Sequence, residues 1–203
     1  MSKNVGIYLF PEIEALDFAG PFEVFTTANR VSMRDHSGSA PFNVFSIAES
    51  GAPVSARAGL RIIPDCSINN HPQVDVLIIP GGVVSAELHK PAVMQWMSQC
   101  AETAELVVSV CTGAFMLAQA GVVTSGGVTT HWEDQAELAE MFPLLEVIDG
   151  PRWVEQNKIF TSAGISAGID LSLHLVSRLC SLQVATSTAR QMDYSWNNGN
   201  GQA

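Results

Sequence analysis

Basic residues are scarce in this chain. Ten Lys and Arg stand against twenty Asp and Glu among 203 residues, a formal charge of −10 at pH 7. Nucleic-acid binding usually relies on a basic face, so this chain by itself is expected to bind none. Charge of either sign is low, at 15 % against the roughly 25 % of an average soluble domain, while hydrophobic residues reach 47 %. So little surface charge points to an oligomer that hides part of its surface. The four cysteines, Cys66, Cys100, Cys111 and Cys180, form no C-x-x-C pair and no framework spacing, which fits free thiols in a reducing cytoplasm. No His-x-x-x-His or carboxylate pair has metal-site spacing, and there is no Gly-x-Gly-x-x-Gly or P-loop. Neither a metal nor a nucleotide is expected. Residues 106–132 carry no Asp, Glu, Lys or Arg, a length that would cross a bilayer. The run is broken, however, by Cys111-Thr112-Gly113, Gly121 and Thr124-Ser125-Gly126-Gly127, and reads as a buried strand, helix and strand. The N-terminus enters an apolar strand directly, with no secretory h-region. A cytoplasmic protein with no membrane span is the expectation.

What is present alternates. Short runs rich in Val, Ile and Phe are separated by longer segments of helical period, the pattern of a parallel sheet covered by helices on both faces. Strands are predicted at 5–10, 42–48, 74–79, 106–110 and 128–131, with a hairpin over 54–63 and another at 153–161 around Gln156-Asn157. Helices are predicted after Asp17 with Pro21 near the first turn, and over 91–104, 112–120, 132–141, 169–179 and 184–192. The reading is one compact α/β domain over 1–195, then a loose glycine-rich tail over 196–203.

One junction stands out. Val108-Ser109-Val110-Cys111-Thr112-Gly113-Ala114-Phe115 has the shape of a nucleophile elbow, a sharp turn that lifts one side chain above the carboxyl end of the sheet. Open α/β sheets bind ligands there. The helix N-terminus beside the sulfur favours thiolate, and the Thr112 N–H can donate to a developing anion. A free cysteine is more often a small core hydrophobe, which is the reading for Cys180 after its apolar helix.

Other groups fall at neighbouring strand ends. Pro80-Gly81-Gly82 allows close backbone approach, and its N–H groups could complete an oxyanion hole with Thr112. Asp17, flanked by Leu16 and Phe18, is a candidate for partial desolvation; a carboxyl protonated in that way can donate to a thiolate or shuttle a proton. The plainer alternative is a capping aspartate. His131 ends a predicted strand within reach of the Cys111 site, and Trp132 could wall a small pocket; a lone histidine is also often structural.

Five segments together carry a resemblance: Phe10-Pro11-Glu12 through Gly20-Pro21, Ile79-Pro80-Gly81-Gly82, Ser109-Val110-Cys111-Thr112-Gly113, Thr129-Thr130-His131-Trp132, and Ala163-Gly164-Ile165-Ser166-Ala167-Gly168-Ile169-Asp170. In this order the chain resembles the ThiJ/PfpI superfamily over about residues 5–194, and looks closest to its isonitrile hydratase branch. The resemblance implies a flavodoxin-like, doubly wound, mostly parallel sheet, a homodimer, no cofactor, and a cysteine nucleophile. In that branch the residue matching Cys111 attacks the isonitrile carbon and the residue matching Asp17 handles the proton. Thr112 matches a supporting threonine, and Gly82 the loop that supplies a backbone N–H. Protease-like branches often place histidine directly after the cysteine; Thr112 stands here, which argues against peptidase activity. Residues 31–40 look longer than in the hydratase branch, Ser162-Ala163 stands where it has glycines, and no proline-rich continuation follows Trp196.

Three functions compete at this stage. One is hydration of an isonitrile to an N-substituted formamide. Another is ligand sensing, because the segment around Gly164 also looks like that in the N-terminal domains of AraC-type transcription regulators. These continue into a helix-turn-helix domain, which this chain ends too early to form. The third is thiol chemistry on reactive carbonyls, or oxidant sensing, at Cys111.

Overall fold

The structure is a computed structural model that describes residues 2–36 and 39–198. Its first half runs β1 (Lys3–Leu9), α1 (Ala15–His36), β2 (Phe42–Ala48), β3 (Val54–Ser55), β4 (Arg61–Ile62), β5 (Cys66–Ser67), β6 (Val76–Ile79) and α2 (Pro91–Thr103). The second half runs β7 (Leu106–Val110), α3 (Gly113–Gln119), β8 (Gly126–Val128), α4 (Gln135–Met141), β9 (Leu145–Val147), β10 (Trp153–Gln156), β11 (Ile159–Ser162), α5 (Ala167–Leu179) and α6 (Leu182–Gln191). Seven strands join in the order β10-β11-β7-β6-β1-β2-β5. All pair in parallel except β10, which returns antiparallel on β11. This is the flavodoxin-like doubly wound arrangement.

The strand sequences explain the two covering layers. Strand side chains alternate between faces. Val5, Ile7, Val76, Ile78, Leu106 and Val108 pack with α1, α5 and α6, while Tyr8, Leu77, Ile79 and Val107 pack with α2 and α3. Burial on both faces is why β6 reads as an unbroken apolar run and β7 is interrupted only by the buried Ser109. Helix α2 starts on Pro91, where a missing N–H does no harm. Helix α6 is capped by Ser181, whose hydroxyl accepts the Val184 N–H at 3.2 Å.

Several expectations move. Helix α1 begins at Ala15, so Asp17 lies in its first turn and Pro21 lies inside the helix, not near its start. Pro21 has no N–H to give the Asp17 carbonyl. Residues 129–131 are not a strand; β8 ends at Val128 and pairs with β9 in a small separate sheet. Strands β5 and β9, of two and three residues, lack the length that makes alternation visible. Cys180 is exposed, not core, because it caps α5 where the chain turns outward into α6. Trp196 and Asn197, expected in the loose tail, are tied to α5: the Trp196 indole donates to the Asp170 carbonyl at 3.1 Å and the Asn197 N–H to Asp170 Oδ1 at 2.9 Å. Residues 199–203 of that tail, and Ser37 and Gly38 of the 31–40 segment, lie outside the described residues. Among the described residues no helix is long and apolar enough to cross a membrane.

Candidate active site

The carboxyl ends of β1, β6 and β7 lie side by side, and the loops that leave them converge. The loops are sewn together by backbone bonds. Ile13 bridges Gly82, Glu14 N–H donates to the Gly81 carbonyl at 2.9 Å, and Arg57 N–H, from the β3–β4 turn, donates to the Ile13 carbonyl at 3.0 Å.

Cys111 sits at the elbow with φ 55°, in the left-handed region that costs a non-glycine residue roughly 1–2 kcal/mol. Bonds on both sides hold it there: its N–H donates to the Ser162 carbonyl at 3.1 Å, and its carbonyl accepts the Thr130 hydroxyl at 2.8 Å. Gly113 makes the turn possible, since a Cβ there would run into the Ile79 carbonyl oxygen. The Cys111 side chain is 7 % exposed.

Asp17 is fully buried against Cys111. Its Oδ2 accepts the Gly81 N–H at 3.0 Å, while Oδ1 makes no hydrogen bond of ordinary geometry with any described residue. Burial pushes this carboxyl up to about 7; the Gly81 N–H opposes that shift, Glu14 adds to it, and the Cys111 thiol opposes it again. Burial also pushes the Cys111 thiol up to about 12, with Asp17 acting in the same direction. The Thr112 and Ile165 N–H groups pull it back, and Asp134 adds a further upward push. Burial and the neighbouring carboxylates thus act against the thiolate that the helix end favours. Two backbone donors do not outweigh desolvation and two carboxylates.

Beside its N–H, Thr112 contributes its hydroxyl. Its hydroxyl accepts the Gly82 N–H and donates to the Gly82 carbonyl, each at 2.8 Å. With Gly81 N–H on Asp17 and Gly82 N–H on Thr112, neither glycine has a free donor for an oxyanion hole. They position Asp17 and Thr112 instead. A Cβ on Gly81 would lie 2.6 Å from the Thr112 nitrogen and 2.8 Å from Asp17 Oδ2.

Above the sulfur opens a cleft of about 470 Å³. Val83, Val84, Leu88, Phe115 and Ile165 give it apolar walls, and Glu14, Arg57, His131, Glu133, Asp134 and Glu137 line the rest. His131 reaches it from the turn after β8. Its Nδ1 accepts the Glu133 N–H at 3.3 Å and lies 3.4 Å from Asp134 Oδ2, and its ring packs so closely on Gly164 that a Cβ there would overlap it. Trp132, expected as a wall, is 72 % exposed and lines a neighbouring hollow instead of the Cys111 cleft.

Sequence reasoning missed Ile165, whose N–H acts on the sulfur and whose φ of 44° is strained for a β-branched residue. Its only signal was its place in the Ala163–Asp170 segment. Arg57 and the carboxylates of the cleft carried no signal at all, since they come from separate loops.

This fold, with its elbow cysteine and buried acid partner, defines a class. The chain belongs to the DJ-1/PfpI family, whose profile matches residues 3–178. It is 29 % identical over 197 residues to an isonitrile hydratase of Pseudomonas putida, a match covering 96 % of this chain and 80 % of that protein. It is equally 29 % identical over 176 residues to the HTH-type transcriptional regulator GbdR of Pseudomonas aeruginosa, covering 87 % of this chain and 46 % of the regulator. The chain thus spans about half the length of that regulator. Among solved structures, a THiJ/PfpI family protein from Pseudomonas syringae superposes with a TM-score of 0.84 at 24 % identity, over 96 % of this chain and 76 % of the other.

Proposed function

We propose that the protein is a cysteine-dependent lyase that hydrates a small isonitrile to an N-substituted formamide. The observation that carries this reading is the Cys111 sulfur, held on a strained backbone against a fully buried Asp17 carboxyl at the foot of a cleft. Similarity to an isonitrile hydratase over most of both chains supports it.

The chemistry fits these groups. Between the ionisations of Asp17 and Cys111 the pair shares one proton. As the sulfur attacks the isonitrile carbon, the S–C bond forms and the shared proton passes through Asp17 to that carbon. R–N≡C and Cys–SH thereby become the thioimidate R–N=CH–S–Cys. Water then adds, hydroxyl to carbon and proton to nitrogen. The C–S bond breaks, the hydroxyl proton returns through Asp17 to sulfur, and R–NH–CHO leaves. The Thr112 and Ile165 N–H groups stabilise negative charge on the sulfur during attack and departure. A homodimer in the cytoplasm, acting on a small molecule with no metal or organic cofactor, completes the reading. Incubation with an alkyl isonitrile tests it: a formamide is the expected product, and no product, or free amine, would overturn it.

A second reading has its own support. Regulators are among the relatives, and burial disfavours the Cys111 thiolate that attack on a substrate would use. On this reading the cleft binds a small molecule without turnover, and saturable binding with the ligand recovered unchanged would favour it.

A further inference from the structure

The walls of the cleft are unevenly charged. Glu14, Glu133, Asp134 and Glu137 line it, and among the described lining residues Arg57 is the one lysine or arginine. Arg57 is already engaged, with its Nη1 3.3 Å from Glu14 Oε2. Glu133 and Asp134 flank His131, whose Nδ1 accepts a backbone N–H. Glu137 has no partner among the described residues. Three carboxylates therefore rim the mouth with no arginine or lysine to balance them. The floor of the cleft is Cys111, held against the fully buried Asp17, which is not itself part of the lining. The apolar band of Val83, Leu88 and Phe115 is part of the same lining.

We infer that the cleft selects small organic cations, molecules that present an apolar reactive end to Cys111 and an ammonium group to Glu133, Asp134 and Glu137. The inference rests on the cleft over Cys111 being the substrate site, and it adds the substrate class. Carboxylates around a concave, partly apolar site concentrate cations and repel anions. An uncharged isostere fits the same space but gains nothing from the rim. An anionic one meets four carboxylates.

Three bromoacetamides of similar size test this, with N-substituents of 2-(trimethylammonio)ethyl, 3,3-dimethylbutyl and 2-carboxyethyl. Each alkylates a thiol by forming an S–C bond as bromide leaves. Mass mapping gives the rate at Cys111 relative to the exposed Cys180 on the same molecule, which cancels intrinsic reactivity and the overall charge of −10. The cationic reagent should favour Cys111 over the neutral one on the order of tenfold, and the anionic reagent should be slowest. The preference should shrink in 0.5 M salt and in the double variant Glu133→Gln/Glu137→Gln. Equal ratios for the three reagents, or the same preference in the double variant, would overturn the inference. Should Cys111 resist all three, calorimetric titration decides. Saturable binding of hexyltrimethylammonium that weakens in the double variant supports the inference, and its absence refutes it. None of these readouts requires hydration. A protein that prefers cations but makes no formamide would keep this inference and lose the hydratase reading.

Discussion

Asp17 comes from the first turn of α1 and Cys111 from the elbow after β7, yet each shifts the ionisation of the other. The carboxyl raises the thiol, and the thiol lowers the carboxyl. The pair holds two protons below about pH 7, one between about 7 and about 12, and none above. The singly protonated form is the reactive one, whether the proton is drawn on sulfur or on oxygen, because attack needs a place for it to go.

A pH profile follows from this. kcat/KM for isonitrile hydration should rise about tenfold per pH unit below roughly 7 and level off above it. Asp17→Asn should remove that limb and slow the reaction by about 10²–10⁴. A flat profile from pH 5 to 8 in the unaltered protein would contradict the coupling.

Stability should change with pH in the opposite sense. The folded carboxyl is raised to about 7, while an unfolded aspartate titrates near 4. Between these values the folded state binds more protons than the unfolded one, so stability falls as pH rises from about 4 to about 7 and is level above. The loss is at most about 4 kcal/mol. Asp17→Asn keeps an acceptor for the Gly81 N–H and carries no buried charge. Denaturant titration should therefore find the variant more stable than wild type by about 2–4 kcal/mol at pH 8 and nearly equal at pH 4.5.

Thr112 tests the glycine loop. Thr112→Val deletes both bonds to Gly82 and leaves a partly buried N–H and carbonyl unpaired, at a cost of about 1–3 kcal/mol. Thr112→Ser keeps the hydroxyl and should recover most of that. Equal losses in the two variants would mean that the methyl, not the hydroxyl, matters.

Gly164 tests the His131 wall. A Cβ there displaces the imidazole, which lines the cleft and is not fully buried. Gly164→Ala should raise KM on the order of tenfold with a small change in melting temperature. Gly113→Ala meets backbone instead of a movable ring, and should fail to accumulate as folded protein.

How much of this was legible in the sequence depends on distance along the chain. The elbow was readable because strand, cysteine and glycine are contiguous, and so were the strands near Val5, Phe42 and Leu106, whose apolar residues form runs long enough to stand out. Asp17 was found through its apolar neighbours, although its place inside α1 was hidden by Pro21, which signals a helix start only when tertiary packing does not extend the helix upstream. At Cys111 local reasoning sees one helix end and not the surrounding burial, which acts the other way. Hydrogen bonds that consume the Gly81 and Gly82 donors link residues from different loops, as do the carboxylates of the cleft. No local pattern encodes such pairings.

The most direct measurement is formamide production from an alkyl isonitrile by three proteins side by side: wild type, Cys111→Ala and Cys180→Ala. Turnover should persist in wild type and in Cys180→Ala and vanish in Cys111→Ala, with its folded melting transition retained. Formamide produced at an undiminished rate by the Cys111→Ala protein would contradict the account.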